Sequence, residues 1–288
     1  MKRIILFSHW DKHNIIDDCV IDYLKELRKF GDIVFVSDCD LKKDLDKISN
    51  ICFIRLSIKH GEMDFGSWKI GLLKFYQSNL LTDYDELLLV NDSCYLTENA
   101  FDKVFQKMEN TNCDFWGLTQ NKEHSLHLQS YFLCFRHRTF SIVSEFLKGV
   151  RKEDDVRSVI LNYEIGLSKL LLSKGFIKSS FIEEEFENNI TCHDYALMIK
   201  KGVPLIKRRL LVSNPCNVNN LYLFKELCDR RLYNNIMANL KRIGYYKNRW
   251  HLTTSRLFSR YHGNGFIRYR IFGIRIYKAK DTKELSYD

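Results

Sequence analysis

The stretch YDELLLVNDSCY, residues 84–95, joins an apolar run to a group of small polar side chains. Its four consecutive apolar residues, 87–90, predict a short strand buried on both faces, because a half-buried strand would alternate with polar residues. The run stops at Asn91-Asp92-Ser93. These residue types commonly form turns. In an open α/β sheet, however, ligands bind at the carboxyl ends of the strands, so a carboxylate at this position is a candidate for ligand binding.

Strand-like runs and helix-like patterns alternate on both sides of this stretch. Helical spacing near 3.6 residues is found in 15–31, which ends at Gly31, and in 65–79. The alternation predicts an α/β fold of Rossmann type, in which a mostly parallel sheet is flanked by helices on both faces. Further predicted strands are KRIILFS (2–8), DIVFVSD (32–38), ICFIRLS (51–57), DFWGLT (114–119) and SYFLCFR (130–136), and further predicted helices are AFDKVFQKMEN (100–110) and a long stretch through YEIGLSKLLLSKG (163–175).

Composition bounds the class of protein. A chain of 288 residues and 34.4 kDa suits one large domain or a domain with an appendage. No apolar run approaches the roughly 20 residues that span a bilayer. The apolar part of MKRIILFSHW, residues 1–10, is too short for a signal peptide and predicts a first strand, so we expect a cytosolic protein.

The nine cysteines are odd in number and contain no C-x-x-C pair. Several of them lie in strand-like runs, such as Cys52 and Cys134. This distribution predicts free thiols in a reducing compartment and argues against disulfides or structural zinc.

The positive charge is concentrated at the end of the chain. Residues 215–288 contain 15 lysines and arginines against five acidic residues, whereas the whole chain has a net charge of +9, so residues 1–214 are close to neutral. We therefore predict a main domain, 1–214, and a basic helical or β extension, 215–288. A basic and aromatic segment of this kind is attracted to an anionic membrane or to nucleic acid, and the alternative is a solvated basic face.

Residues 163–176, YEIGLSKLLLSKGF, carry Glu164 near the start of an apolar helical stretch. The stretch resembles the helix of inverting glycosyltransferases of the GT-A type, which reads E-D-x-x-L-x-x-R-L-x-x-x-G-Y. Leu167 and Gly175 stand at +3 and +11 from Glu164, as the Leu and Gly of that pattern stand from its catalytic Asp. The resemblance implies that Glu164 is the general base for the acceptor hydroxyl. A glutamate favoured only by the helix dipole would give the same sequence.

Six segments in the same order resemble the rhamnan synthesis protein F family, bacterial glycosyltransferases of surface polysaccharide and lipopolysaccharide assembly. The resemblance covers about residues 1–214. It implies a GT-A-like fold, a nucleotide-diphosphate sugar donor such as dTDP-L-rhamnose, and a growing glycan acceptor on a lipid carrier. The segments are FSHWDKHNIIDD, DFGSWKIGLLKF, YDELLLVNDSCY, CDFWGLT, HLQSYF and YEIGL.

The resemblance also implies site residues. Asp92, with His193, would hold a divalent cation, Mg²⁺ or Mn²⁺, that neutralises the leaving diphosphate. The Asp-x-Asp that is usual in nucleotide-diphosphate-sugar transferases is Asn-Asp-Ser here, so the triplet contains one acid. Other roles stay open for some of these residues. Residues 8–11 could form a simple polar turn, Lys69 could be an exposed lysine on a helix, and His193 could be a structural histidine. The implied donor-binding residues are Ser8, His9, Asp11, Asp64, Gly66, Lys69, Asn91, Asp92 and Ser93, and the implied acceptor contacts are Gln129 and Ser130.

Three functions compete at this point. The first is an inverting glycosyltransferase, peripheral at the inner face of the cell membrane and bound to its anionic surface. The second is a sugar-nucleotide-binding partner without catalytic activity, as the single acid of the triplet suggests. The third, a nucleic-acid-binding protein, is disfavoured because residues 1–214 are near neutral and contain no recognisable nucleic-acid-binding motif.

Overall fold

The computed structural model describes residues 1–76, 83–186, 189–216, 218, 220–244, 258–263, 266–271 and 274–280. The strands of these segments include every strand expected from the sequence. In chain order they are β1 (Arg3–His9), β2 (Asp32–Ser37), β3 (Ile54–Ser57), β4 (Glu86–Asn91), β5 (Cys94–Leu96), β6 (Phe115–Gly117), β7 (Gln120–Asn121), β8 (His127–Leu128), β9 (Phe132–Arg136), β10 (Lys178–Ser180), β11 (Leu205–Lys207), β12 (Phe258–Gly263), β13 (Phe266–Ile271) and β14 (Ile274–Lys280).

The helices are short apart from α1, α2 and α11 as defined below. Across the described segments, no helix combines the length and the apolar character that crossing a membrane requires. The α-helices are α1 (Asp18–Arg28), α2 (Met63–Tyr76), α3 (Phe101–Glu109), α4 (Phe140–Lys148), α5 (Val156–Val159), α6 (Gly166–Ser173), α7 (Ile190–His193), α8 (Tyr195–Lys200), α9 (Arg208–Val212), α10 (Phe224–Leu227) and α11 (Arg230–Arg242).

The chain divides into two compact units. The N-terminal unit comprises Met1–Asp92 and Asn99–Asn188, and the C-terminal unit comprises Ser93–Glu98 and Asn189–Asp288. The amino-acid composition predicts a domain boundary at 215. In the structure, residues 189–214 belong to the C-terminal unit together with the residues that follow them. The reason is that β11 pairs with β5, and the Tyr95 hydroxyl also bonds to Asn239 at 2.5 Å.

The N-terminal unit is built on a seven-stranded sheet in the order β10-β6-β9-β4-β1-β2-β3. Pairing is parallel between β1 and β2, β1 and β4, β2 and β3, and β10 and β6, whereas β9 runs antiparallel to both β4 and β6. The predicted α/β class with a mostly parallel sheet is therefore confirmed.

Strand alternation determines which side chains share a face at the carboxyl edge of this sheet. Leu6 and Leu89 pack in one core cluster with Trp68 of α2. Since successive side chains of a strand point to opposite faces, Ser8 and Asn91 continue the face of Leu6 and Leu89. His9, the next residue of β1, points to the opposite face, and Asp92, in the turn after β4, contacts His9.

The long helix predicted through 163–175 is interrupted. Asp155 caps α5 by accepting a hydrogen bond from the backbone N of Ser158 at 2.8 Å. A π-helical segment, Ile160–Ile165, then precedes α6. Short π segments within α-helices occur frequently at functional sites, and this one contains Glu164.

The C-terminal unit ends, among the described residues, in an antiparallel meander of β12, β13 and β14. Ile274 is 70% exposed, Ile276 55% and Tyr277 59%. The register places Arg268 opposite Lys278 and Arg270 opposite Arg275.

Candidate active site

Three predicted donor-site residues form one hydrogen-bonded group at the carboxyl edge of the sheet. The hydroxyl of Ser8 donates to one oxygen of Asp64 at 3.0 Å, and the amide of Asn91 donates to the other at 2.7 Å. Asp64 lies in the first turn of α2, where the helix dipole favours a carboxylate. The group thus brings together the ends of β1 and β4 and the start of α2.

The backbone immediately before Asp64 is strained. Met63 has a φ of 56°, in the left-handed region that side chains with a Cβ rarely adopt. Such strain is retained where the surrounding structure imposes it, and it clusters at functional sites. The strained residue therefore points to the start of α2 as part of the site.

His9 and Asp92 form a second pair on the opposite face of the sheet. Nδ1 of His9 lies 2.7 Å from Oδ2 of Asp92, and the backbone N of Trp10 donates to the same oxygen at 3.4 Å. The ring of His9 is 1% exposed and lies 5.4 Å from that of Phe35, between centroids. The Asn91-Asp92 dipeptide therefore serves two faces, which its sequence alone did not indicate.

Asp11 and Ser93 lie in turns with local hydrogen bonds. The carboxylate of Asp11 accepts from the backbone N of His13 at 2.9 Å and of Ile15 at 3.2 Å, as a turn-forming aspartate does. Ser93 belongs to the C-terminal unit, where Nζ of Lys207 lies 3.2 Å from its Oγ. Their donor contacts stay predictions.

Gly66 and Lys69 are engaged by neighbouring parts of the N-terminal unit. A Cβ added at Gly66 would lie 2.3 Å from the Cβ of Glu62 and 2.8 Å from Nδ1 of His60, so glycine permits a close approach of the protein's own turn. The ammonium of Lys69 pairs with Glu62 and donates to the Val150 carbonyl at 2.9 Å. In this arrangement Lys69 joins two loops, and its proposed contact with a diphosphate would require it to leave them.

Gly66→Ala is expected to lower the free energy of unfolding by about 1–3 kcal/mol, because the new methyl group overpacks the turn at His60 and Glu62. Urea unfolding measures the change. Gly166→Ala is the matched control, since its added Cβ would be 3.7 Å from the nearest atoms and would fit without displacement. Equal stability of the two variants would contradict the packing argument.

Glu164 is held at the same sheet edge by Ser130. Oε2 of Glu164 accepts a hydrogen bond from the backbone N of Ser130 at 2.7 Å and another from its hydroxyl. Ser130 lies two residues before β9, which pairs Phe132 with Val90 at the end of β4. The antiparallel register therefore brings Ser130, and with it Glu164, to the edge of the sheet at which β4 ends. Two residues that the sequence assigned to base and acceptor contact are thus direct partners.

His127 is a site residue that the sequence reasoning did not single out, although it opens the segment HLQSYF. Its Nε2 lies 3.3 Å from Oε1 of Glu164, and the side chain is 2% exposed. Burial alone would lower the pKa of His127, but the hydrogen bonds to Glu164 and to the Ser125 carbonyl raise it above its ordinary value. Only the fold reveals this pair, because 37 positions separate the two residues.

The pKa of Glu164 moves in the opposite direction. Its burial would raise the pKa, yet the hydrogen bonds from His127 and Ser130 lower it below the ordinary value. Glu164 is therefore a carboxylate at neutral pH, as a general base must be before it accepts a proton.

Gln129, the other predicted acceptor contact, is a buried residue. It is 6% exposed, and its side-chain oxygen accepts a hydrogen bond from the hydroxyl of Thr119 at 2.8 Å.

A divalent cation would have few protein ligands here. Across the described ranges, no three side chains among His, Cys, Asp and Glu converge as a metal-binding group. Asp92 lies in the N-terminal unit, and His193 is exposed on α7 of the C-terminal unit. Mg²⁺ is usually bound through one or two carboxylates together with substrate phosphates, so this donor set fits a cation brought largely by the donor. The cation stays a prediction.

Comparison with known sequences gives a family and two relatives. The family model described as rhamnan synthesis protein F matches residues 33–263. Virulence protein VirA of Vibrio anguillarum is 27% identical over 224 residues, which cover 63% of this chain and 69% of VirA. Uncharacterized protein y4gN of Sinorhizobium fredii is 29% identical over 152 residues, covering 50% of this chain and 39% of that protein.

Comparison with solved structures finds similarity to two proteins described as glycosyltransferases and to TarS. One, involved in glycosylation of the major capsid of PBCV-1, has a TM-score of 0.38 and 7% identity, covering 78% of this chain and 98% of its own. The glycosyltransferase GlyE of Streptococcus pneumoniae TIGR4 has a TM-score of 0.43 and 14% sequence identity, and the match covers 84% of this chain and 64% of GlyE. Residues 1–349 of TarS of S. aureus give a TM-score of 0.39 and 11% sequence identity, and the match covers 94% of this chain and 97% of the TarS chain. Because the family model spans more than half of the sequence, the chain belongs to the rhamnan synthesis protein F family, whose members are glycosyltransferases.

Proposed function

We propose that the chain is an inverting glycosyltransferase. It transfers L-rhamnose or a related sugar from a nucleotide-diphosphate donor, with dTDP-L-rhamnose favoured, to a growing bacterial surface polysaccharide or lipopolysaccharide. The observation that carries the proposal is the carboxylate of Glu164, which Ser130 holds at the sheet edge where Ser8, Asp64 and Asn91 meet.

An inverting transfer needs one base. The acceptor oxygen attacks the sugar carbon while the bond to the diphosphate breaks, and the acceptor proton passes to a carboxylate on the acceptor side. The side chain of Glu164 is 15% exposed, so an acceptor hydroxyl has access to a carboxylate that its hydrogen bonds have already oriented. Gln129 and Ser130 flank this position as the proposed acceptor contacts.

On the donor side, the reaction needs groups that stabilise the negative charge of the leaving diphosphate. When bound, Mg²⁺ or Mn²⁺ would neutralise that charge, with Asp92 and His193 as the proposed protein ligands. Ser8, Asp64 and Asn91 offer hydrogen-bonding atoms for the nucleotide and sugar at the carboxyl ends of β1 and β4, where open α/β sheets bind ligands.

A panel of dTDP-, UDP- and GDP-sugars, each with and without Mn²⁺, tests the proposal by thermal shift and by product formation. A true donor at 100 times its Kd should stabilise the fold by about 2.7 kcal/mol and should support transfer to a lipid-linked glycan. The absence of any stabilising donor across the panel would contradict the proposal.

A second candidate is a sugar-nucleotide-binding partner without catalytic activity. The single acid of Asn91-Asp92-Ser93, and the hydrogen bond that Asp92 makes with His9, favour it. Donor binding without turnover, in the same panel, would support this candidate over the first.

An anionic membrane surface is the proposed location of the acceptor. Ile274, Ile276 and Tyr277 on β14 are exposed, and they lie in a part of the sequence rich in lysine and arginine, which suits an interface of lipid headgroups. We propose peripheral attachment at the cytoplasmic face. Truncation after Pro215 would not test membrane binding alone. It would also remove α11, whose Leu232 and Leu240 are buried within the C-terminal unit.

Replacing Arg268, Arg270 and Lys278 with serine is therefore expected to weaken binding to anionic liposomes. Each basic residue near an anionic surface contributes about 1 kcal/mol, so the triple change should reduce affinity on the order of 100-fold. Co-sedimentation at low and high salt measures it. The matched control replaces Lys25, Lys43 and Lys103, which are exposed on the N-terminal unit. Equal losses in both variants, or no binding by the wild type at low salt, would contradict the membrane proposal.

A further inference from the structure

We infer that the base of the transfer is the hydrogen-bonded pair of Glu164 and His127 acting as a unit, with His127 a positioning residue that holds the proton of the pair. The inference rests on the proposed function. His127 is 2% exposed and Glu164 15%, so an acceptor can reach Glu164 but reaches His127 only through it.

The hydrogen-bond partners of His127 determine how many protons its ring carries. Nδ1 lies 2.7 Å from the carbonyl oxygen of Ser125, which can only accept, so Nδ1 carries a hydrogen. Nε2 lies 3.3 Å from a carboxylate oxygen of Glu164, and two lone pairs facing each other would repel. One proton is therefore shared between Nε2 and Oε1. The raised pKa of His127 and the lowered pKa of Glu164 agree with an imidazolium–carboxylate pair.

This shared proton has a consequence for catalysis. While it is present, Oε1 is engaged by the imidazolium and Oε2 by Ser130, so the carboxylate is a poor base. Once it is lost, the pair carries one negative charge and has an empty proton position between Oε1 and Nε2. In the reaction the acceptor O–H bond breaks and its proton enters the pair, the new C–O bond forms, and the bond from the sugar carbon to the diphosphate breaks with its electron pair leaving on the diphosphate.

The charged groups that face His127 favour the protonated form of its ring. Glu164 faces His127 from the π segment Ile160–Ile165, and Glu123 acts on it from the loop before β8. Both are acidic, so both favour the protonated ring. The pair titrates as a unit, and its apparent pKa values belong to both residues.

The same titration gives a dependence of stability on pH. The raised pKa of His127 contributes stability in full below its ordinary value of 6.5, and the lowered pKa of Glu164 does so above 4.5. The contribution is therefore greatest between about pH 4.5 and 6.5. It is lost as the pH rises through the raised pKa of His127, which is also where the pair becomes competent as a base.

NMR titration of the His127 ring in the full-length protein tests the pairing without turnover. We expect the wild type to titrate above 6.5 and Glu164→Gln to titrate well below the wild type, because the amide NH₂ of glutamine prefers an unprotonated Nε2. Identical titration of His127 in the two proteins would overturn the inference.

The pH profile of kcat/KM tests the role in transfer. In the wild type, activity should fall tenfold per pH unit below an apparent pKa above 6.5. In His127→Gln, whose amide donates to Glu164 without a titratable proton, the fall should move to lower pH. His137→Gln, an exposed histidine after β9, is the control and should keep the wild-type profile. The same profile in His127→Gln as in the wild type overturns the inference and leaves the proposed function standing. No transfer by the wild type overturns the proposed function, and the NMR result then decides the pairing.

Discussion

Glu164→Gln is expected to abolish nearly all sugar transfer while donor binding survives. Loss of a general base typically costs about 10²–10⁴-fold in rate, because the acceptor hydroxyl then attacks without a group to accept its proton. The variant should fold, since the carbonyl oxygen of glutamine can accept both hydrogen bonds from Ser130 and its NH₂ can donate to a neutral His127.

Two measurements separate the role of Glu164 from a structural one. The rate of transfer is compared at saturating donor, and the donor Kd is measured by calorimetry. Glu145→Gln is the matched control, because Glu145 on α4 is 79% exposed and lies outside the site. Near-normal turnover of Glu164→Gln would mean that the base lies elsewhere and that the offset match to the glycosyltransferase helix arose by chance.

Asp92→Asn is expected to weaken donor binding and turnover together. Asp92 is the single acid of the triplet, and its charge is held in place by His9 and by the backbone of Trp10. Removing a charged hydrogen-bonding partner costs about 1.5–3 kcal/mol, so kcat/KM should fall by roughly 10–150-fold. Asparagine keeps the size of the side chain and still accepts a hydrogen bond from His9, so the change isolates the charge.

Metal removal distinguishes how that charge acts. If Asp92 holds a cation, EDTA should reproduce the loss in the wild type and should add little to Asp92→Asn. Asp46→Asn, at an exposed aspartate, is the control for charge removal elsewhere. Full wild-type activity in EDTA would assign the neutralisation of the diphosphate to lysine or arginine, and the assignment of Asp92 as a metal ligand would be withdrawn.

The elements of the fold were largely predictable because their signals are local. The apolar run 87–90 became the central strand β4, and the 3.6-residue patterns became α1 and α2. Antiparallel β9 was predicted as a strand but not by direction, since direction depends on where the chain returns. The π segment at Ile160–Ile165 was missed, because nothing in an apolar helical pattern distinguishes one extra residue in a turn.

The candidate site was predictable by residue type and only partly by arrangement. Glu164 and Ser130 were both named from the sequence, yet their hydrogen bond depends on the pairing of β9 with β4. Asn91 and Asp92 were read as one motif, and strand alternation sends them to different partners, Asp64 and His9. Asn91 is the last residue of β4 and continues its alternation, whereas Asp92 lies in the turn that follows.

The α/β class, the sheet edge that carries polar residues, and the family could all be predicted from the sequence, because periodicity and ordered motifs are properties of neighbouring residues. The tertiary structure alone decided that His127 meets Glu164 and that residues 189–214 belong with the segment around β5. Such contacts join positions far apart in the chain. Their existence depends on register and burial, which emerge only when the whole sheet is assembled.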